Sequence, residues 1–278
     1  MKKFVVVLVI LLCCGMRVEA AETSAGVSIG EIATEAYPTL EPAHEYYVEE
    51  LGQSCAQCGI EAKDDVKAGD YGCGILAHGE VEDVWWMIME DTHYLIVNGN
   101  GDVYCGWDGY KEYVEHGVQG ALAGDVGSGA YSGLTNLESF VWAGDKCSEV
   151  GSKGFYGDEK LAAINLADSI KRIGKQAFVG CSSLKQVEFG GCLEYIEARA
   201  FRGIPIEKCE FPPGLKSIGV SAFAKCMYLR DIYWGETRCY VGKLAFNNCK
   251  GLGYRTVGYL PSYLVTEKNS FRNCGGEF

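Results

Sequence analysis

Across residues 126–274 a small residue followed by an aromatic recurs at nearly fixed spacing. The pairs are Ala130-Tyr131, Gly154-Phe155, Ala177-Phe178, Ala200-Phe201, Ala222-Phe223, Ala245-Phe246 and Ser270-Phe271. Successive aromatics stand 24, 23, 23, 22, 23 and 25 residues apart. A period in that range belongs to chains that stack one coil on the next, each coil burying its apolar residues only against its neighbours. Seven coils follow from the seven pairs.

Other columns keep the same step. Five residues before the aromatic stand Val126, Val150, Ile173, Ile196, Ile218 and Val241. Six residues after it stand Leu137, Leu161, Leu184, Leu229 and Leu252, and the short fourth coil supplies Ile206 one place early. Three and five residues beyond these come Phe140 and Trp142, Ile164 and Leu166, Val187 and Phe189, Cys209 and Phe211, Ile232 and Trp234. An apolar residue, two polar, an apolar, one polar and an apolar is a leucine-rich strand pattern. The expected fold is a mainly β or α/β repeat solenoid, a right-handed stack of about seven 23-residue coils.

A stack exposes apolar surface at each end and needs a lid there. Residues 84–89 and 94–97 are apolar runs, and Asn98-Gly99-Asn100-Gly101 is turn chemistry, so residues 54–119 read as an N-terminal β-strand cap. Residues 110–118 could lead into the array as a short amphipathic helix. The array itself occupies 120–278, and its last coil is degenerate, with Thr266 where Val or Ile stands elsewhere.

Ahead of the cap, Lys2 and Lys3 precede an apolar run over 4–12, and Val18-Glu19-Ala20 offers a cleavage site, so residues 1–20 read as a secretory signal peptide. Residues 21–53 hold seven glutamates and no lysine or arginine, an acidic and partly disordered leader with a short helix possible over 45–51. The formal charge is −12. Losing the signal removes three positive charges and one negative, which leaves −14. An acidic chain without a basic cluster points away from nucleic acid and anionic membrane as partners. No later run reaches membrane-spanning length, and the tail has no hydrophobic glycolipid-anchor signal, so a secreted or extracellular location is expected.

Of 14 cysteines, Cys13 and Cys14 would leave with the signal. In an oxidising compartment Cys55, Cys58, Cys73 and Cys105 are read as structural, with disulfides the default over a zinc or redox site. Cys181, Cys226, Cys249 and Cys274 each follow the column aromatic by three residues and stack at one corner. Coils about 4.8 Å apart would let neighbours such as Cys226 and Cys249 bridge. A small buried thiol fits the corner without any bond, and burial favours that reading.

Asn98, Asn100 and Asp102 alternate like a calcium loop, but Val103 and Gly109 stand where glycine and a bidentate glutamate belong. His44, His78, His93 and His116 share no metal-ligand spacing, and no catalytic or cofactor motif occurs, so neither an enzyme nor a cofactor is expected. Residues pointing outward from the strands share one face because strand side chains alternate. Gln186, Glu188, Lys208, Glu210, Asp231, Tyr233 and Tyr254 are the candidate ligand-binding residues on it, beside Ser139, Val141, Ala163 and Asn165.

The sequence resembles the BspA-like, or Treponema pallidum type, leucine-rich repeats. The likeness is carried by residues 173–184, which read IGKQAFVGCSSL, and by 211–219, FPPGLKSIG, continuing through Ala222-Phe223 and Cys226. Cys73-Gly74, Trp85-Trp86 and residues 95–101 are similar to the strand unit that often precedes such repeats. The resemblance implies an exported or surface protein that recognises or adheres to host, matrix or surface proteins, without catalytic residues. A self-associating matrix or coat component is the alternative expectation.

Overall fold

The computed structural model describes residues 54–55, 60–61, 75–90, 92–235, 238–253 and 260–275. The signal peptide, the acidic leader, Cys58, Cys73 and Tyr254 lie outside the described residues, and Cys55 falls in the short strand β1 (Ser54–Cys55), paired with β2 (Ile60–Glu61).

Seven coils of about 23 residues stack as a leucine-rich repeat solenoid, and the column of aromatics is its spine. Tyr131, Phe155, Phe178, Phe201, Phe223, Phe246 and Phe271 stack ring on ring, with centroids 5.2, 5.3, 4.9, 5.1, 5.2 and 5.0 Å apart. The spacing matches the distance between hydrogen-bonded strands, because the same coils are laced by backbone bonds. Phe155 N–H donates to Ala177 O at 2.9 Å and Phe178 N–H to Ala200 O at 2.8 Å, and the rung repeats up the stack. Tyr131, the one phenol in the column, satisfies its hydroxyl by donating to buried Gln119 Oε1 at 3.1 Å.

Each coil turns twice through the left-handed region around that aromatic. The residue before the small one has positive φ at Gly129, Lys153, Gln176, Arg199, Ser221, Leu244 and Asn269. The second residue after the aromatic does so at Gly133, Gly157, Gly180, Gly203, Lys225, Asn248 and Asn273. These fixed kinks turn a chain with almost no helix into a closed coil.

Two rows of parallel strands flank the spine. One is a continuous sheet of two-residue strands: β8 (Glu149–Val150), β10 (Arg172–Ile173), β12 (Tyr195–Ile196), β14 (Ser217–Ile218), β16 (Tyr240–Val241) and β17 (Val265–Thr266). Its Val and Ile residues are the column five before the aromatic, and Thr266 closes it exposed, as a terminal coil would. The other row carries β7 (Ser139–Trp142), β9 (Ala163–Asn165), β11 (Gln186–Glu188), β13 (Lys208–Glu210) and β15 (Asp231–Tyr233). Side chains alternate outward and inward along these strands, with Phe140, Ile164, Val187 and Cys209 buried in the core.

The cap is β3 (Ile75–Val81), β4 (Val84–Met89) and β5 (Tyr94–Gly99), antiparallel to one another. It continues through β6 (His116–Gln119) into β7 by parallel pairing, so cap and stack share one sheet. Two expectations change here. Residues 110–118 do not form an amphipathic helix: a 3-10 turn over Asp108–Tyr113 is followed by strand β6. Gly117 explains the strand, since a Cβ there would lie 2.5 Å from the Phe140 ring, so this segment is pressed flat against β7. The stack also reaches back across the 119/120 boundary: Trp107 stacks on Tyr131 at 5.5 Å, and Val103 bridges Val126 in parallel. Gly106-Trp107 is one more small-aromatic pair, 24 residues before Tyr131.

Asn98 and Asp102 are spent on joining coils. Asn98 Oδ1 accepts Leu122 N–H and Asp102 Oδ1 accepts Asp125 N–H, both at 3.0 Å, which leaves the Asn98–Asp102 segment a turn.

Candidate functional site

The outward row of strands forms the candidate site. Gln186, Glu188, Lys208, Glu210, Asp231 and Tyr233 are all exposed, as their alternation predicts. Pairing of β13 with β15 sets Lys208 opposite Asp231 and Glu210 opposite Tyr233. Lys208 Nζ forms an ion pair with Glu210 and lies 5.0 Å from the centre of the Tyr233 ring. The Glu210 carboxylate beside it raises the Lys208 ammonium above its ordinary value. Tyr233 is 55% exposed, a large aromatic that the fold has no use for.

The row is not continuous. It divides into β3-β4-β5-β6-β7, β9-β11 and β13-β15. Within the array, strands one 23-residue step apart pair, 163 to 186 and 208 to 231, whereas the gaps fall at the 24-residue step from 139 to 163 and the 22-residue step from 186 to 208. An inserted or deleted residue shifts a strand against its neighbour and spoils the register. A step off 23 does not always do so, since β5 and β6 are 22 apart and stay paired.

Each gap carries a cleft. One of about 650 Å³ lies over β11 and β13 and is lined by Lys185, Gln186, Glu188, Glu207, Lys208 and Glu210, four of them candidate residues from the sequence. The other, of about 740 Å³, lies at the ends of β7, β9 and β11, where Trp142, Asp145, Asn165, Asp168, Glu188 and Phe189 line it. Glu188 and Phe189 belong to both. The structure thus brings Gln186, Glu188, Lys208 and Glu210 together, with Asp231 and Tyr233 on the next strand. Trp142 and Phe189 face inward as expected and pack against the core, but each is only half-buried and also lines a cleft. Asp145 and Asp168 fall in the loops after β7 and β9, and nothing in the repeat pattern marks them.

The described cysteines of the array are not bridged. No disulfide joins the described cysteines, and Cys105, Cys181, Cys226, Cys249 and Cys274 are free thiols. For Cys105 this corrects the disulfide expected of the cap. In the corner column the thiols have another use. Cys181, Cys226, Cys249 and Cys274 donate to the carbonyls of Phe155, Phe201, Phe223 and Phe246 on the preceding coil, at 3.1 to 3.2 Å. Burial pushes the Cys274 thiol up to about 12 and raises Cys181 too, which suits donors and disfavours thiolates. The same position in the second coil holds Asp158, fully buried, whose Oδ1 accepts Leu134 N–H at 2.9 Å.

Among the described residues no group of three or more His, Cys, Asp or Glu side chains is placed to hold a metal ion, and no helix is long and apolar enough to cross a membrane. His93 pairs with Glu115 at 3.1 Å and His116 with Ser139 Oγ at 2.9 Å.

Parallel coils of 23 residues around a buried aromatic spine define a leucine-rich repeat protein. Residues 148–276 match the BspA type leucine rich repeat region in six copies. The structure is similar to the leucine rich repeat protein of T. pallidum, 19% identical, over 68% of this chain and 100% of that one, with a TM-score of 0.52. It is also similar to a leucine-rich repeat protein from Bacteroides ovatus, 20% identical, over 72% of this chain and 53% of that one, at a TM-score of 0.49. A third likeness is to the pneumococcal vaccine antigen PcpA, 13% identical, over 66% of this chain and 52% of that one, at 0.40. At such identities the likeness is one of fold. Comparison with curated proteins gave no match.

Proposed function

We propose that this chain is an exported protein that recognises another protein, as an adhesion or binding module, through the outward face of β9, β11, β13 and β15. The observation that carries the reading is Tyr233, more than half exposed on a rigid strand, braced by Lys208 and flanked by Asp231 and Glu210. Rigid exposed aromatics with polar neighbours are what protein interfaces are built around, and repeat proteins bind along such faces. Export is supported by the basic and apolar start of the chain. Tyr254 lies outside the described residues, and only the repeat spacing in the sequence assigns it to this face.

The test is capture of proteins from the organism's surroundings on immobilised chain lacking residues 1–20, followed by affinity measurement with Tyr233→Ala. A captured protein that loses at least tenfold in affinity, with the variant still folded, supports the face. Background proteins alone at physiological salt, or unchanged affinity, would sink it. Concentration-dependent oligomers of the unmixed chain on sizing would favour self-assembly instead.

A further inference from the structure

The two clefts on the strand row differ in how their charge is met. In the cleft over β11 and β13, Lys185 and Lys208 stand among Glu188, Glu207 and Glu210, and Lys208 is paired with Glu210. The cleft at the ends of β7, β9 and β11 holds Asp145, Asp168 and Glu188, and no lysine, arginine or histidine is among its described lining residues. All three carboxylates are at least partly exposed. Asp168 spends one oxygen on Gly191 N–H at 2.9 Å, which fixes its carboxylate at the rim. Two aromatic side chains complete the walls. Trp142 is held edge-to-face against Phe140, centroids 4.8 Å apart at 64°, and Phe189 packs edge-on to Phe201 at 5.7 Å and 89°. Both line the cleft, and the indole N–H of Trp142 is itself buried.

We propose that this cleft takes an arginine or lysine side chain of the protein ligand held on the strand face, a proposal that rests on the reading of that face as a recognition surface. Charge complementarity carries it. The described lining residues carry three carboxylates and no positive charge, so a cation meets a carboxylate wherever along the cleft it settles, and the aromatic walls receive its alkyl stem. The volume of about 740 Å³ falls among those of ordinary ligand pockets and admits a whole side chain with its backbone. Its position beside exposed Asn165 and Glu188 places the anchor at one end of the face that ends in Tyr233. A ligand spanning both would be fixed in register by one cation and one aromatic contact.

The probe is a blocked tripeptide, glycine-arginine-glycine, titrated into the folded chain and compared with the same peptide carrying norleucine. The readout is the indole N–H signal of Trp142 in a two-dimensional NMR spectrum, assigned by its loss in Trp142→Phe. The arginine peptide is expected to shift that signal saturably, and the norleucine peptide to leave it in place. Asp145→Asn with Asp168→Asn keeps the Gly191 contact and is expected to weaken binding at least tenfold, while its remaining signals report an intact fold. An equal shift with norleucine, no shift with arginine, or unchanged affinity in the double variant overturns the proposal. Tyr233→Ala is expected to leave the peptide titration unchanged, since Tyr233 lies outside the cleft. If the peptide fails while Tyr233→Ala still weakens a captured protein, the cleft is refuted and the face stands. If the peptide binds while the face variant has no effect, the face is refuted and the cleft is an independent cation site.

Discussion

Lys225→Gly should stabilise the protein, and the repeat itself supplies the reason. Lys225 is exposed with φ 66°, two residues after Phe223. At the same place in the four preceding coils stand Gly133, Gly157, Gly180 and Gly203, all with positive φ. A Cβ on Gly157 or Gly203 would meet nothing within 4 Å, so glycine is there for its backbone and not for room. An L-residue in this conformation costs about 1–2 kcal/mol, against which glycine loses about 0.5–1 kcal/mol more backbone entropy on folding. The net gain for Lys225→Gly is about 0.5–1 kcal/mol, and Gly157→Ala should lose a similar amount. With a urea slope of about 2–3 kcal/mol per molar, the midpoint should move by roughly 0.2–0.5 M, upward for the first and downward for the second, at constant slope. A lower midpoint for Lys225→Gly, or a neutral Gly157→Ala, would refute the argument that this column is chosen for φ.

Phe178→Ala removes a ring stacked on both sides and should cost about 3–5 kcal/mol, whereas Phe271→Ala, half-buried with one stacked neighbour, should cost about half as much; urea midpoints of the two variants decide it. Asp158 gives a pH dependence: burial raises its carboxyl from 3.8 to about 8, so the folded state holds a proton that the unfolded chain has lost. Its contribution is full below pH 3.8 and is lost as pH rises toward 8, so stability should fall across that window, and Asp158→Asn should flatten the profile. Unchanged slopes in the two proteins would contradict that assignment. Thiol reagents at about pH 8 should label exposed Cys192 in the folded chain and reach Cys181, Cys209, Cys226 and Cys249 only on unfolding. Mass mapping that finds Cys226 labelled as fast as Cys192 would overturn the buried-donor reading.

The fold was legible in the sequence wherever one residue type serves one repeated place. The Phe, Ala, Ile and Leu columns each meet the same neighbours in every coil, so packing imposes them again and again, and the rows of strands lie where those columns put them. The start of the stack was harder to read, because Trp107 and Val103 fill the columns with a different aromatic and with a spacing of four in place of five. The cysteine column was legible as buried but not as bonded. A thiol donating to a carbonyl on the coil below and a thiol joined to its neighbour ask for the same small residue at the same corner, and only the geometry of Cys226 against Phe201 separates them.

The candidate site was legible only where it is regular. Alternation puts Gln186, Glu188, Lys208, Glu210, Asp231 and Tyr233 on one face whatever the loops do, but a face is not yet a pocket. The clefts lie where the strand row loses its pairing, at the additional residue between β7 and β9 and the missing one between β11 and β13, and the loops beyond bring in Asp145 and Asp168. Neither residue repeats, so no column could announce it. In a stack whose inward columns are committed to folding, the outward positions and the irregular steps are where selection is free to cut a binding surface. Restoring the 23-residue step by deleting one residue between β7 and β9 should therefore close the 740 Å³ cleft and leave the spine intact. Loss of the arginine-peptide shift at Trp142, with the remaining NMR signals unchanged, is the expected outcome, and a retained shift would show that the cleft does not depend on the broken period.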